Sequence, residues 1–425
     1  MKNTNLQEVK NSVAIHKNNA IELLQQLIRI PSVNHPPTGD EKKVQRFYFK
    51  YLKSLGLEAE MHEPSDLTEF KNHPGRYKEH KMKNRPNVVG ILRGIGGGKS
   101  LMLIAHADTE LPGDKKLWIG KNPFSGKIHK DRVYGRGSGD DKSGMAVAAS
   151  VAKILKDAEI KLKGDLIIAS VCDEEQAGGN GTVTLLSKGY KADASIYLDG
   201  CNNDICTSNV GGGFCNITFK VPKSENSQKL LKDNLAAFKK LIDKFIQIRK
   251  KAFVENQLFN SRFYLSLCTR ILNISLGAAN PTTGSFTVWF YLLPNEDPMK
   301  FKKDFEKFIF QLKESCNYKI KWMSRFLPAS QVSKTHLFVN CLKNSFKLAA
   351  NQSAKIAGGP MCDMGFVNKY GRFPCVLFGP IRAAKKGAFH QPNEFIEIKE
   401  FMNCLLTTTI CAMNWCGWYK EKIND

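Results

Sequence analysis

Short apolar runs that each end on an imidazole or a carboxylate constrain this chain more than any other feature. Residues 101–105 lead into His106, residues 166–171 into Glu174 and Glu175, and residues 194–198 into Asp199. Runs of this length without alternation mark strands buried on both faces of a mostly parallel sheet. In such sheets ligands gather beyond the carboxyl ends of the strands, where these polar residues fall. Asp140 in YGRGSGDDK and His390 in GAFHQPNE complete the set. A His/Asp/Glu set free of cysteine suits a borderline-hard cation such as zinc, and it has one ligand too many for a single tetrahedral ion. Two ions sharing one carboxylate would use them all. For any single residue, helix capping or pairing with Lys or Arg is an equally good account. For the whole set that account fails, because Asp108, Asp140, Asp141, Asp173, Glu174, Glu175 and Asp199 in one cleft would repel one another unless cations intervened.

Seven stretches occur in order: HADTELPG, Trp118 with NPF at 122–124, GRGSGDDKSG, DEEQAGGNGT, GGPMCD, FGP and FHQPNEFIEI. Together they resemble the M20 family of zinc peptidases and deacylases, which includes acetylornithine deacetylase, succinyl-diaminopimelate desuccinylase, aminoacylase and glutamate carboxypeptidase. The resemblance covers nearly the whole chain, from IELLQQLIRIPSVN to the last helix. It implies an α/β fold, a mostly parallel-sheet di-zinc exopeptidase catalytic domain carrying an inserted ferredoxin-like α+β lid. It also implies roles. His106 and Asp199 would hold one zinc, Glu175 and His390 the other, and Asp140 would bridge them. Asp108 would orient His106 by accepting its far N–H, and Glu174 would be the general base. Asn280 in AANPTTGS resembles a lid asparagine that contacts substrate. The implied enzyme is a metal-dependent amidohydrolase that cleaves an amide or peptide bond in an N-acyl amino acid or short peptide, using metal-activated water. Two Zn²⁺ are the implied cofactors, and Co²⁺ or Mn²⁺ would fit the same donors.

A chain of 425 residues is long for one core and comfortable for two. After Asp199 a Gly- and Asn-rich connection leads to a changed pattern: a strand near 214–221, a helix over 227–253, strands near 270–275 and 285–293, a helix over 299–314 and a strand near 318–323. This βαββαβ order is the ferredoxin-like split arrangement. The expected divisions are 1–212 and 329–425 for the catalytic domain and 213–328 for the insert. The resemblance adds a homodimer through the insert as an expected partner. In the long helix Leu231, Leu235, Phe238, Ile242, Phe245 and Ile248 make a core stripe, with Lys232, Lys239, Lys240, Lys244, Lys250 and Lys251 mostly off it.

The formal net charge of +23 raises nucleic acid or anionic membrane as partners. The lysines are spread along the chain without aromatic interleaving, so a solvated basic surface is the expectation and nucleic acid is not an expected partner. No segment resembles a signal peptide or a membrane span. Twelve scattered cysteines without CxxC spacing read as reduced core residues, Cys172, Cys375 and Cys404 among them. A cytoplasmic enzyme with a small-molecule substrate is expected. Gly94 to Ser100 reads as a hairpin turn rather than a phosphate loop, and His16, His35, His62, His73, His80, His129 and His336 read as surface or loop residues. Two departures from the family pattern stand out. No histidine lies between His129 and His336, where many members have one in the lid, and Met364 follows Asp363 where an arginine is common. They motivate an alternative, a catalytically weak relative that works by binding a ligand or partner.

Overall fold

The computed structural model describes residues 3–200, 203–277, 282–312, 316–380 and 389–420, with backbone alone for 3–5. Asn280 lies outside the described residues. The chain packs as two units, one of Met1–Thr207, Gln331–Gly359 and Phe366–Asp425, the other of Ser208–Ser330 and Pro360–Gly365.

In the first unit the chain lays down β1 (Glu58–His62), β2 (Asn87–Leu92), β3 (Leu101–His106), β4 (Leu166–Val171) and β5 (Ala194–Tyr197) before β6 (Ile205–Asn209). The second unit contributes β7 (Gly211–Lys220), β8 (Thr269–Leu276), β9 (Thr283–Leu292) and β10 (Asn317–Trp322), and β11 (Cys375–Leu377) belongs to the first unit again. The main sheet runs β6-β11-β5-β3-β4-β2-β1. Its middle pairs are parallel, and β6, β2 and β1 join antiparallel. All of β3, β4 and β5 is buried, as their unbroken apolar runs require. Leu103, Ile168, Ile196 and Val376 face one core, at about 1.5–3 kcal/mol for each fully buried side chain. The same core takes up α1 (Lys17–Arg29), α3 (Lys142–Asp157), α7 (Leu337–Ala350) and α8 (Ile398–Cys416), while α2 (Lys42–Ser54) packs on β1 and β2 and α4 (Asn180–Ser187) on β4. Because α3 is buried nearly all round, it is built of small residues, Ala146, Ala148, Ala149 and Ala152 among them.

The expected hairpin across 94–100 does not form. β2 and β3 are both neighbours of β4 and not of each other, so their connection passes over the end of a strand made some 60 residues later. Gly94 N–H donates to Asp165 just before β4, and Gly96 N–H to the Lys163 carbonyl. Periodicity shows two strands and cannot show a third inserted between them. Cys172, Cys375 and Cys404 are buried free thiols, as their apolar settings in the sequence suggest. Among the described residues no helix is long and apolar enough to cross a membrane.

The second unit is an antiparallel sheet in the order β8-β9-β7-β10, with α5 (Ser227–Glu255) and α6 (Pro298–Ile309) in the βαββαβ order. Alternation sets its inner face: Cys215, Ile217 and Phe219 of β7 and Phe286, Val288 and Phe290 of β9 are buried. Phe290 packs edge-on against Phe305 at 4.8 Å between ring centres, and Phe245 against Phe305 at 4.9 Å. The stripe on α5 drifts from expectation near its end. Ile248 is exposed and Arg249 is buried instead, ion-paired with Glu296 and donating to the Tyr291 carbonyl. Its guanidinium lies 5.1 Å from the Phe301 ring centre. A charge tolerates that position because it is paired and stacked.

Candidate metal centre

His106 closes β3, and its main-chain N–H donates to Asp141 Oδ2 at 3.3 Å. Asp141 also caps α3 by accepting from Gly144 N–H, so one side chain fixes both the strand end and the helix start. This places Asp140 between two imidazoles. Its Oδ1 lies 2.9 Å from His106 Nε2, and its Oδ2 lies 2.9 Å from His390 Nε2. Glu175 Oε2 is 3.2 Å from the same His390 nitrogen, and Glu174 Oε2 is 3.9 Å from His106 Nε2. Donor atoms of His106, Asp140 and Glu175 lie within 4.8 Å of one another, as do those of Glu110, Glu175 and His390. Asp199 is buried at the carboxyl end of β5 and belongs to neither group. Glycines bring its segment against the neighbouring one: a Cβ on Gly379 would stand 1.7 Å from the Leu198 carbonyl oxygen, and one on Gly200 would stand 1.9 Å from Gly379 N.

The loop after β4 turns sharply, with Asp173, Gln176 and Ala177 at φ of 60°, 58° and 62°. Left-handed backbone at residues other than glycine costs of order 1–3 kcal/mol each and persists only where the surroundings enforce it. Asp108 does much of that. Its Oδ1 accepts from Glu174 N–H at 3.0 Å, and its Oδ2 accepts from Glu175 N–H and Asn34 Nδ2 at 2.9 Å each. Asp173 meets buried Arg85 at 2.8 Å and His80 Nδ1 at 2.8 Å, and Glu41 accepts from Arg85 Nε at 2.8 Å. His106 Nδ1 is nearer the main-chain carbonyl of Asp108, at 3.0 Å, than its carboxylate, at 3.6 Å. The Asp108 carboxylate thus meets the main-chain N–H groups of Glu174 and Glu175 more closely than it meets His106.

The electrostatics call for positive charge. Burial disfavours a charged His106, yet the carboxylates of Glu174, Asp108 and Asp140 together lift its pKa well above the usual value. Burial is likewise outweighed at His390, where Glu175 and Asp140 push the pKa up to about 11. Burial, reinforced by the Asp140 charge, raises that of Glu175, whereas His106 and Arg85 outweigh burial at Asp108 and bring it down to about 2. Glu175 Oε1 is buried with no hydrogen-bond partner among the described residues. Hard and borderline donors, a surplus of buried negative charge and an unused carboxylate oxygen fit divalent cations.

Several supporting residues carry no signal in the sequence. Glu394 is fully buried: its Oε1 accepts the N–H groups of Gly137, Gly139 and Asp140, and its Oε2 pairs with Arg136 at 2.6 Å. It stands four residues after His390 at the start of an apolar stretch, which marks a candidate acid but not what it accepts. Glu41 and Arg85 lie in no motif, and Asn34 and Glu110 lie in motif stretches that do not mark them out from their neighbours. His80, expected at the surface or in a loop, lies in a loop but is buried against Asp173, where an imidazole supplies a donor to an acid that Arg85 only partly satisfies.

Carboxylates and imidazoles converging beyond the strand ends of an α/β sheet, with an α+β domain inserted, define a metal-dependent hydrolase. The chain belongs to peptidase family M20/M25/M40, whose model matches residues 102–412. It is 24% identical over 97% of its length, and 98% of the relative's, to N-formyl-4-amino-5-aminomethyl-2-methylpyrimidine deformylase of Bacillus subtilis. In fold it is similar to the dipeptidase Dug1p of Saccharomyces cerevisiae, with a TM-score of 0.70, 14% identity and 97% and 98% of the two chains covered. It is similar also to YXEP of Bacillus subtilis, a dinuclear metal-binding peptidase of the M20 family, with a TM-score of 0.61, 14% identity and 94% and 98% covered.

Proposed function

We propose that this chain is a di-zinc amidohydrolase that cleaves an N-acyl amino acid, another short N-acyl amine or a short peptide. The observation that carries the reading is Asp140, whose two oxygens each stand 2.9 Å from an imidazole Nε2 drawn from opposite parts of the sequence. His106 and Asp199 would hold one ion, Glu175 and His390 the other, with Asp140 shared. When bound, the ions supply Lewis acidity that lowers the pKa of water and polarises an amide carbonyl. The chain's own residues do the rest. Glu174, beside the donors and only 10% exposed at its side chain, takes the proton of the attacking water and delivers it to the departing nitrogen. Asp108 keeps Glu174 in reach by holding its main-chain N–H.

The full-length match to a deformylase supports short acyl groups on small amines as substrates. Exposed Leu272, Ile274 and Leu276 on the edge strand β8 support a homodimer through the insert, and the resemblance of its segment to a lid motif is the ground for Asn280 as a substrate contact. The buried free thiols Cys172, Cys375 and Cys404 support a cytoplasmic location. The test is Glu174→Gln. Turnover of N-acyl amino acids, N-formyl amines and dipeptides should fall about 10²- to 10⁴-fold, while metal content by elemental analysis stays that of the wild type. Retained turnover sinks the assignment of the base. One observation favours a second reading, ligand binding without turnover: no histidine lies between His129 and His336. Absence of chelator-sensitive hydrolysis across that substrate panel, in protein that holds its metal, would select it.

A further inference from the structure

The first unit carries a second cleft that the reaction does not use. His73, Lys191, Ala192, Lys369, Tyr370, Gly371, Arg372 and Phe373 line a cavity of about 570 Å³, within the roughly 300–1,000 Å³ usual for small-molecule sites. Its place in the sheet separates it from the metal centre. Lys191 and Ala192 come just before β5, and Arg372 and Phe373 just before the parallel strand β11, whereas Asp199 follows β5. Seven residues of near-extended chain separate Ala192 from Asp199 by about 20 Å, at opposite ends of the strands.

The lining is one-sided in charge. Lys191, Lys369 and Arg372 are exposed, and none is ion-paired to a carboxylate among the described residues. No acid lines the cleft. The adjacent carboxylate, Asp193, is committed elsewhere, accepting from Ser100 N–H and its hydroxyl at 2.7 and 2.8 Å. His73 adds a donor. Its Nδ1 accepts from Gly75 N–H at 3.0 Å, so the neutral ring carries its proton on Nε2. The ring stands edge-on to Tyr370 with centres 4.7 Å apart, and Lys369 Nζ lies 5.5 Å from the Tyr370 centre. Arg372 sits at φ 58°, ψ 32° directly after the short helical turn Val367–Gly371, a left-handed position where glycine is the favoured residue. Three unpaired cations and an N–H donor around a concave floor match the oxygens of a phosphorylated ligand, to which Arg and Lys bind by charge-assisted hydrogen bonds.

We propose that this cleft is a binding site for a small polyphosphate compound, either an inorganic polyphosphate or the phosphate chain of a nucleoside triphosphate. The test is calorimetric titration of the metal-loaded protein with sodium tripolyphosphate and, separately, with ATP, at an ionic strength near 0.15 M, where loose surface attraction is screened. Lys369→Ala/Arg372→Ala should weaken binding of both probes at least about tenfold, since each lost charge-assisted bond accounts for a factor of that order. Lys191→Glu should do the same. A control with the same loss of charge, Lys232→Ala/Lys240→Ala on exposed positions of α5, should leave binding within about threefold, a difference well under 1 kcal/mol. ATP binding tighter than tripolyphosphate identifies the nucleotide as the ligand, and equal affinity identifies inorganic polyphosphate. Binding that survives Lys369→Ala/Arg372→Ala, falls equally in the control, or is absent from the wild type overturns the proposal. Unfolding midpoints of all variants, followed alongside, show that the sites compared are folded ones.

Discussion

Glu394 offers the sharpest test of how the metal centre is held. Its carboxylate accepts three main-chain N–H groups from residues 137–140 and neutralises Arg136, whose side chain is 1% exposed. Glu394→Gln keeps the shape and one acceptor oxygen, but it sets an amide NH₂ against the Arg136 guanidinium and leaves a buried cation unpaired. Breaking one side of a buried pair costs about 3–5 kcal/mol, whereas removing both partners costs far less. Urea unfolding of the chelator-treated protein should therefore show Glu394→Gln less stable by that amount. Glu394→Gln/Arg136→Gln should be less destabilised than the sum of the single changes, by about 2 kcal/mol or more. Because Asp140 N–H is one of the three donors, the single variant should also bind metal more weakly. A loss below about 1 kcal/mol, or additive single and double variants, would refute the idea that this pair organises the Asp140 loop.

Acid should weaken the fold through His62. Burial, with Lys188 nearby, depresses its pKa from 6.5 to about 4, and its side chain is 9% exposed. Between those values the unfolded chain binds a proton that the folded chain rejects, so stability is full above pH 6.5 and falls as pH drops towards 4. The loss approaches about 3 kcal/mol, and His62→Gln should flatten that part of the curve in denaturant titrations; an unchanged slope would contradict it. Gly379→Ala should cost at least about 1–3 kcal/mol, because its Cβ has no room against the Leu198 carbonyl oxygen. A wild-type unfolding midpoint would show that the two segments do not meet as described.

The parts of the molecule legible in sequence are those where burial leaves a pattern. β3, β4 and β5 are apolar throughout because both faces are covered, so their ends and the residues beyond them could be located. Alternation did the same for β7 and β9 in the insert. What escaped reading depends on partners distant in sequence. The adjacency of β4 to both β2 and β3 is set by a later strand. Arg249 replaces Ile248 on the inner face of α5 because Glu296 is there to pair with it. Asn34, Arg85 and Glu394 act on main-chain groups or on other buried acids, and such roles impose no spacing on the chain.

Both halves of the sequence that flank the insert are sewn into common sheets. β11 runs beside β5, the strand Phe395–Glu397 beside Arg132–Tyr134, and α8 against α3. Continuity of the polypeptide through residues 208–330 is therefore not what keeps His390 beside Asp140. A protease nick within that span would yield a two-piece protein whose fragments remain clasped by hydrogen-bonded ladders and a shared apolar interior. Separately expressed pieces divided there could in principle reconstitute the centre by association.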